Sequence, residues 1–152
     1  MAHPPIPTFC FALVVVRDRD RFLVVHEAKH GQRWYLPAGG LEPGESFTRA
    51  AQRETREEAG IPIELVGILR IEHTPVVGGA RLRVIFLARP ADDTPLKTQA
   101  DDESLAARWV TLDELSGLEL RGDEVAALFA AVAGGAPVYP LSLLQVEGEP
   151  LA

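Results

Sequence analysis

Residues 39–61, GGLEPGESFTRAAQRETREEAGI, restrict what this chain can fold into more than any other stretch. From Ser46 to Ala59 the run holds no Gly or Pro and is rich in Ala, Arg, Glu and Gln, which lose little rotamer freedom in a helix. Ser46, after the turn-like Glu42-Pro43-Gly44, is placed to cap the start of that helix, and Gly60 followed by Pro62 is placed to end it. Phe47, Ala50, Ala51 and Thr55 make the stripe expected to pack inward. Glu54, Glu57 and Glu58 stand three and four residues apart, so they share one face with Cβ atoms roughly 5–6 Å apart, where like charges repel. A hard cation removes that repulsion, and Mg2+ prefers carboxylate oxygens, retained waters and substrate phosphates.

Acidic stretches are commonly solvated helix faces, and Arg49, Arg53 and Arg56 supply local salt-bridge partners for one here. The wider spacing outweighs that reading. Gly39, Glu45, Arg53, Glu54, Glu57, Glu58 and Gly60 fill the pattern G-x5-E-x7-R-E-x-x-E-E-x-G. Random sequence of this length meets it on the order of once in a million.

The segment resembles the Nudix box, the signature of a family of Mg2+-dependent hydrolases that cut nucleoside diphosphates linked to another moiety. Thr55 stands where the family pattern wants a bulky aliphatic residue, which bears on helix packing and leaves the chemistry untouched. Phe22 to Ala38 is similar to the approach to the box in MutT-type members, and Arg108-Trp109-Val110 with Asp113-Glu114-Leu115 is similar to their late strand and turn. Tyr139-Pro140-Leu141 is similar to the tail of NudJ-type phosphatases, which act on nucleoside di- and triphosphates and thiamine pyrophosphate. WYLPAG and FLARP are similar to segments of animal enzymes that hydrolyse oxidised guanine nucleoside diphosphates.

The resemblance implies roles residue by residue. Glu57 and Glu58 match Mg2+ ligands, with Mn2+ as a substitute. Glu54 matches a position that binds metal or helps deprotonate the attacking water, Arg53 orients Glu54, and Glu45 ties loop to helix. The carbonyl of Ala38 matches a backbone ligand, and Gly39 and Gly40 let the chain approach phosphate or metal. Many relatives recruit a further carboxylate before the late Trp strand. Glu103 is the candidate, with Asp101 and Asp102 as neighbours, against the plain reading of a solvated acidic loop. On this assignment Glu103→Ala loses activity and Asp101→Ala does not. Trp34 and Tyr35 are candidates to stack on a base, or else core aromatics. Asp123 lies near where MutT-like proteins read a purine edge, and reads equally as an N-cap. Arg83, Arg121 and Lys29 are candidate phosphate contacts.

Composition fits one compact enzyme domain spanning residues 1–152: a 47% hydrophobic chain of this length buries a single sizeable core. The apolar run Phe9 to Val16 is too short to span a membrane, no signal-peptide context accompanies it, and the single Cys10 makes no internal disulfide. A cytoplasmic protein is expected. The formal charge of −7 argues against a nucleic-acid polymer as partner, which needs a basic stripe. It is compatible with a small nucleotide or diphosphate bridged by metal.

The β-rich runs 9–16 and 21–27 read as a hairpin, followed by a short strand at 34–36, a Gly-rich loop and the helix. Strands are expected at 63–73 and 81–89 around a 75–79 turn, a loop at 91–102, a strand at 105–110, a helical turn at 112–115 and a helix at 124–133. This order predicts an α/β/α sandwich around a mixed β-sheet, the architecture the resemblance also implies. His26-Glu27-Ala28-Lys29-His30 matches H-E-x-x-H, but zinc-protease chemistry needs both His on one helical face, and strand character before it with Gly31 after it argues against a helix. A nucleotide sensor without catalysis is the alternative from another class; the box glutamates, all present, argue against it.

Overall fold

The computed structural model describes residues 2–151. Seven strands and three α-helices follow in the order β1 (Thr8–Asp18), β2 (Arg21–Glu27), β3 (Trp34–Tyr35), β4 (Ala38–Gly40), α1 (Phe47–Ala59), β5 (Ile63–Val76), β6 (Gly79–Pro90), β7 (Ser104–Val110), α2 (Leu112–Leu115) and α3 (Glu124–Ala133). β1 runs parallel to β6 and the remaining pairings are antiparallel, so the sheet is mixed as expected. Alternation along β1 divides its side chains between two cores. Ala12, Val14 and Val16 face α1 together with Val84, Phe86 and Ile68. Leu13 and Val15 face α2 and α3 together with Phe22 and Phe129, whose rings stack at 4.6 Å. Helices thus cover both faces, and the sandwich is the observed architecture.

The feature that positions the site is a parting of strands. β1 and β2 pair only through Arg17↔Phe22 and Asp18↔Arg21 next to their turn. They then diverge, and each takes a new partner: β4 adds to β1, and β3 adds to β2. The segment expected as a Gly-rich loop is therefore a short strand at Ala38–Gly40, because β1 offers it a free edge. The 75–79 turn is tighter than expected, with β5 reaching Val76 and β6 starting at Gly79. Ser46 and Gly60 cap α1 as expected: Ser46 Oγ accepts from the Arg49 amide at 3.2 Å, and Gly60 adopts φ +78 while its N–H bonds Arg56 O. Thr55 is fully buried and donates to Ala51 O at 2.9 Å, so its hydroxyl is satisfied inside the helix.

Beyond α3 the chain returns along the outer edge of β5, where Ile68 and Tyr139 exchange two backbone hydrogen bonds of 2.8 Å. Gly67 permits this approach, since a Cβ there would stand 2.6 Å from Tyr139 O and 2.5 Å from Val138 Cγ1. Register shifts on either side of this contact, and Pro75 further along the edge, disfavour pairing with another chain. No helix among the described residues is long and apolar enough to cross a membrane.

Candidate active site

A cleft of about 450 Å³ opens where β1 and β2 part, lined from β1 to β4, α1, β6 and neighbouring loops: Phe11, Glu27, Ala38, Gly39, Glu54 and Glu58 among others. Glu54 and Glu58 reach it from α1. Glu54 is 7% exposed and lies against Gly39, where any Cβ would fall within 2.1 Å of its carboxyl carbon. That close approach requires glycine. Glu58 receives the Ala38 amide at 3.2 Å. Burial, then the Glu54 charge, pushes its carboxyl up to about 9. Burial also raises Glu54, against the pull of Arg53.

Arg53 organises the outer side. Its Nε bonds Glu45 at 2.7 Å, Nη1 bonds Glu54 at 2.7 Å and Glu57 at 3.1 Å, and Nη2 bonds Glu45 at 2.9 Å and Gly40 O at 3.0 Å. A planar fork of five N–H donors fits that set, as a point charge does not. The guanidinium holds the Glu45 carboxyl down at about 2, well below the usual range. Glu57 turns toward Arg53 on the flank of α1 and does not line the cleft, unlike Glu54 and Glu58.

Glu103 and Asp102 close the far wall, and the Glu103 charge acts on both Glu54 and Glu58. The loop that carries them is tied to the end of α1. Lys97 Nζ donates to Glu57 O at 3.1 Å, Lys97 N to Ala59 O at 2.9 Å, and Ser104 Oγ to Glu58 O at 2.6 Å, so the last carbonyls of the helix are satisfied from outside it. Asp101 does not face the cleft. Its Oδ1 accepts from the amides of Glu103 (2.9 Å) and Ser104 (3.1 Å) and from Lys97 Nζ (2.7 Å). Asp101 thus braces the backbone that carries Glu103, a role the expected contrast between the two loop acids did not include. Asp101→Ala should lower kcat by about 10-fold through misplacement of Glu103, and Asp101→Asn, which keeps an acceptor for the two amides, should recover much of it. Kinetics of both variants beside Glu103→Ala check this; full activity in Asp101→Ala would remove its positioning role.

The opposite end carries Phe11, Tyr35, Arg81 and Arg83. Tyr35, 4% exposed, donates to Glu124, and Arg83 spans Glu124 (2.7 Å) and Glu72 (2.9 Å). Arg121 bonds Glu27 at 2.9 Å and lies over the Tyr35 ring at 4.7 Å. Tyr35, Arg83, Arg121 and Lys29 therefore line the cleft as expected, and Trp34 does not: it stacks on His26 at 4.7 Å. Asp123 stands at the N-cap position of α3 but is exposed, makes no side-chain capping hydrogen bond and does not line the cleft; the next residue, Glu124, carries the contacts. Glu27, Glu124, Phe11 and Arg81 were missed, since nothing local separates them from ordinary strand and helix residues. His26 lies in β2 and His30 in a turn at φ +55, so H-E-x-x-H has no helix.

Among the described residues no three His, Cys, Asp or Glu side chains converge tightly enough to cage a metal ion unaided. The site nonetheless fits Mg2+, which keeps several waters and takes one or two carboxylates plus substrate phosphates. Glu54 and Glu58 are acceptor-only groups when ionised, and their burial disfavours that charge until a cation is present.

Residues 8–131 match the NUDIX domain family model. The chain is 42% identical over 118 residues to the human 8-oxo-dGDP phosphatase NUDT18, covering 70% of this chain and 35% of that protein. It thus spans about a third of the length of the NUDT18 relatives it matches. It is 32% identical over 153 residues to phosphatase NudJ of Escherichia coli, covering 95% of this chain and 92% of that one. A NUDIX hydrolase of Nitrosomonas europaea superposes with a TM-score of 0.76 at 28% identity, covering 96% of this chain and all of that one.

Proposed function

The chain belongs to the Nudix family of hydrolases, and from that premise we propose that it hydrolyses a phosphoanhydride bond of nucleoside di- or triphosphates, oxidised guanine forms among them, with Mg2+ as cofactor. The observation that carries this reading is the gathering of Glu54, Glu58 and Glu103 beside the glycines of β4 in one cleft. A divalent cation bound there would lower the pKa of water and neutralise charge on the leaving phosphate. Glu54 and Glu58 would hold it, with Glu103 from the far wall, and Glu57 would join by leaving Arg53. Glu54, buried beside Gly39, would take the proton of the attacking water. Gly39 and Gly40 leave room for the diphosphate. Phe11, Tyr35, Arg81 and Arg83, which line the other end of the cleft, would receive the nucleoside. The 8-oxo-dGDP phosphatase relatives support the oxidised guanine nucleotides.

Phosphate and pyrophosphate release with Mg2+ or Mn2+ tests this across ordinary and 8-oxo-guanine nucleotides, thiamine pyrophosphate and ADP-ribose. A strong preference for a nucleotide is expected, and the product identifies the phosphorus attacked. Preference for thiamine pyrophosphate would follow the likeness of Tyr139-Pro140-Leu141 to NudJ-type tails. Nucleotide binding with no product under either metal would make the protein a sensor.

A further inference from the structure

Glu27 is an acid outside the box whose environment has no account in the roles given so far. It closes β2 at the point where the β2–β7 register slips between His26 and Glu27, and such bulges re-aim side chains beside active sites. Its side chain is 15% exposed and lines the same cleft as Glu54, Glu58 and Glu103. Oε2 accepts from Arg121, and Oε1 is buried with no hydrogen-bond partner in the protein. Arg121 is itself fixed, by its position over the Tyr35 ring and by the backbone bonds Trp34 N to Glu119 O and Arg121 N to Trp34 O, both 2.9 Å. Buried polar atoms are nearly always paired, and an orphan in a site points to a water or ion that belongs there.

The chemistry of the orphan narrows its partner. A carboxylate oxygen only accepts, so it repels phosphate oxygens and needs a donor. In a cleft that takes a cation and a diphosphate, the donors nearest the acids are the waters that Mg2+ retains. We propose that Glu27 is a positioning residue for the cation: Oε1 accepts a hydrogen bond from a water of its hydration shell, while Arg121 holds the carboxylate in place through Oε2. The inference rests on the reading of the cleft as a divalent-cation site. A plainer role for Glu27 is to hold Arg121 for the substrate, and the two roles separate experimentally.

Mn2+ affinity is measured without substrate, by calorimetry or by electron paramagnetic resonance of free Mn2+, for wild type, Glu27→Gln, Arg121→Gln and Glu58→Gln, each checked by thermal melt. Glu27→Gln is expected to weaken Mn2+ binding about 10- to 100-fold, with kcat recovering at saturating metal. Arg121→Gln, which breaks the same ion pair and leaves the carboxylate charged but less firmly held, is expected to weaken Mn2+ binding clearly less than Glu27→Gln does. Loss of nucleotide KM alone in both variants, with Mn2+ affinity unchanged, would overturn the proposal and leave Glu27 as the anchor of Arg121. Glu27→Asp retains the charge if the amide variant fails to fold; with a folded Asp variant, unchanged Mn2+ affinity would again overturn the role. Wild-type binding no tighter than that of Glu58→Gln would instead sink the reading of the cleft itself.

Discussion

Glu58→Gln should lose on the order of 1,000-fold in kcat and, without metal at pH 8, melt at a higher temperature than wild type. The first effect follows from removing a charged ligand worth several kcal/mol to the developing transition state. The second follows from linkage. Burial and the Glu54 charge raise the Glu58 carboxyl from an ordinary 4.5 to about 9 in the folded protein. Between those values the folded state holds a proton that the unfolded state has released, so stability falls as pH rises through that window. Glutamine does not titrate and escapes the loss. The two stability curves should meet near pH 5 and part steadily above it, by about 2 kcal/mol or more at pH 8, roughly 4–8 °C in Tm. Mg2+ should raise the Tm of wild type more than that of the variant. Melting curves from pH 5 to 9, with and without Mg2+, check both arms. A variant less stable than wild type at pH 8 without metal would show that Glu58 is not held under strain of charge.

Arg53→Met should be the most destabilising change on α1, by about 3 kcal/mol or more, with activity lost as well. The substitution keeps the bulk of the side chain and strips a single guanidinium from Glu45, Glu54, Glu57 and Gly40 O. Glu54 would remain buried beside Gly39 without its cation. Arg53→Lys should restore little, because an ammonium cannot reach both the loop acid and the helix acids in one plane. Urea unfolding should show a lower midpoint with an unchanged slope. A midpoint within 0.5 M of wild type (roughly 1 kcal/mol at the usual urea slopes) would mean that the fork is ornamental.

The helix, its caps and the box acids were legible because they are local: periodicity, Ser46 and Gly60 act within a few residues. So was the two-sided sandwich, since the alternation in β1 and the Ala-rich α3 each need a layer to cover. Pairings across the cleft were not. Arg121 meets Glu27 from 94 residues away, Tyr35 meets Glu124 from 89, and Arg83 meets Glu124 from 41. No periodicity carries such information, and which acid of Asp123 and Glu124 turns inward depends on how the chain enters α3. The bracing role of Asp101 was hidden for a related reason: three loop acids in a row differ only in which of them the backbone folds around.

The end of α1 sets an order of events for a chain emerging from the ribosome. The box can coil as soon as residues 46–60 are free, since everything it needs for a helix is nearby. Its final turn is completed by Lys97 and Ser104, which bond the carbonyls of Glu57 and Glu58 from 40 and 46 residues further on. The same docking brings in Glu103. A nascent chain therefore displays the whole signature well before the cleft is complete, since its Glu103 wall arrives only once β7 has been made and has paired with β2.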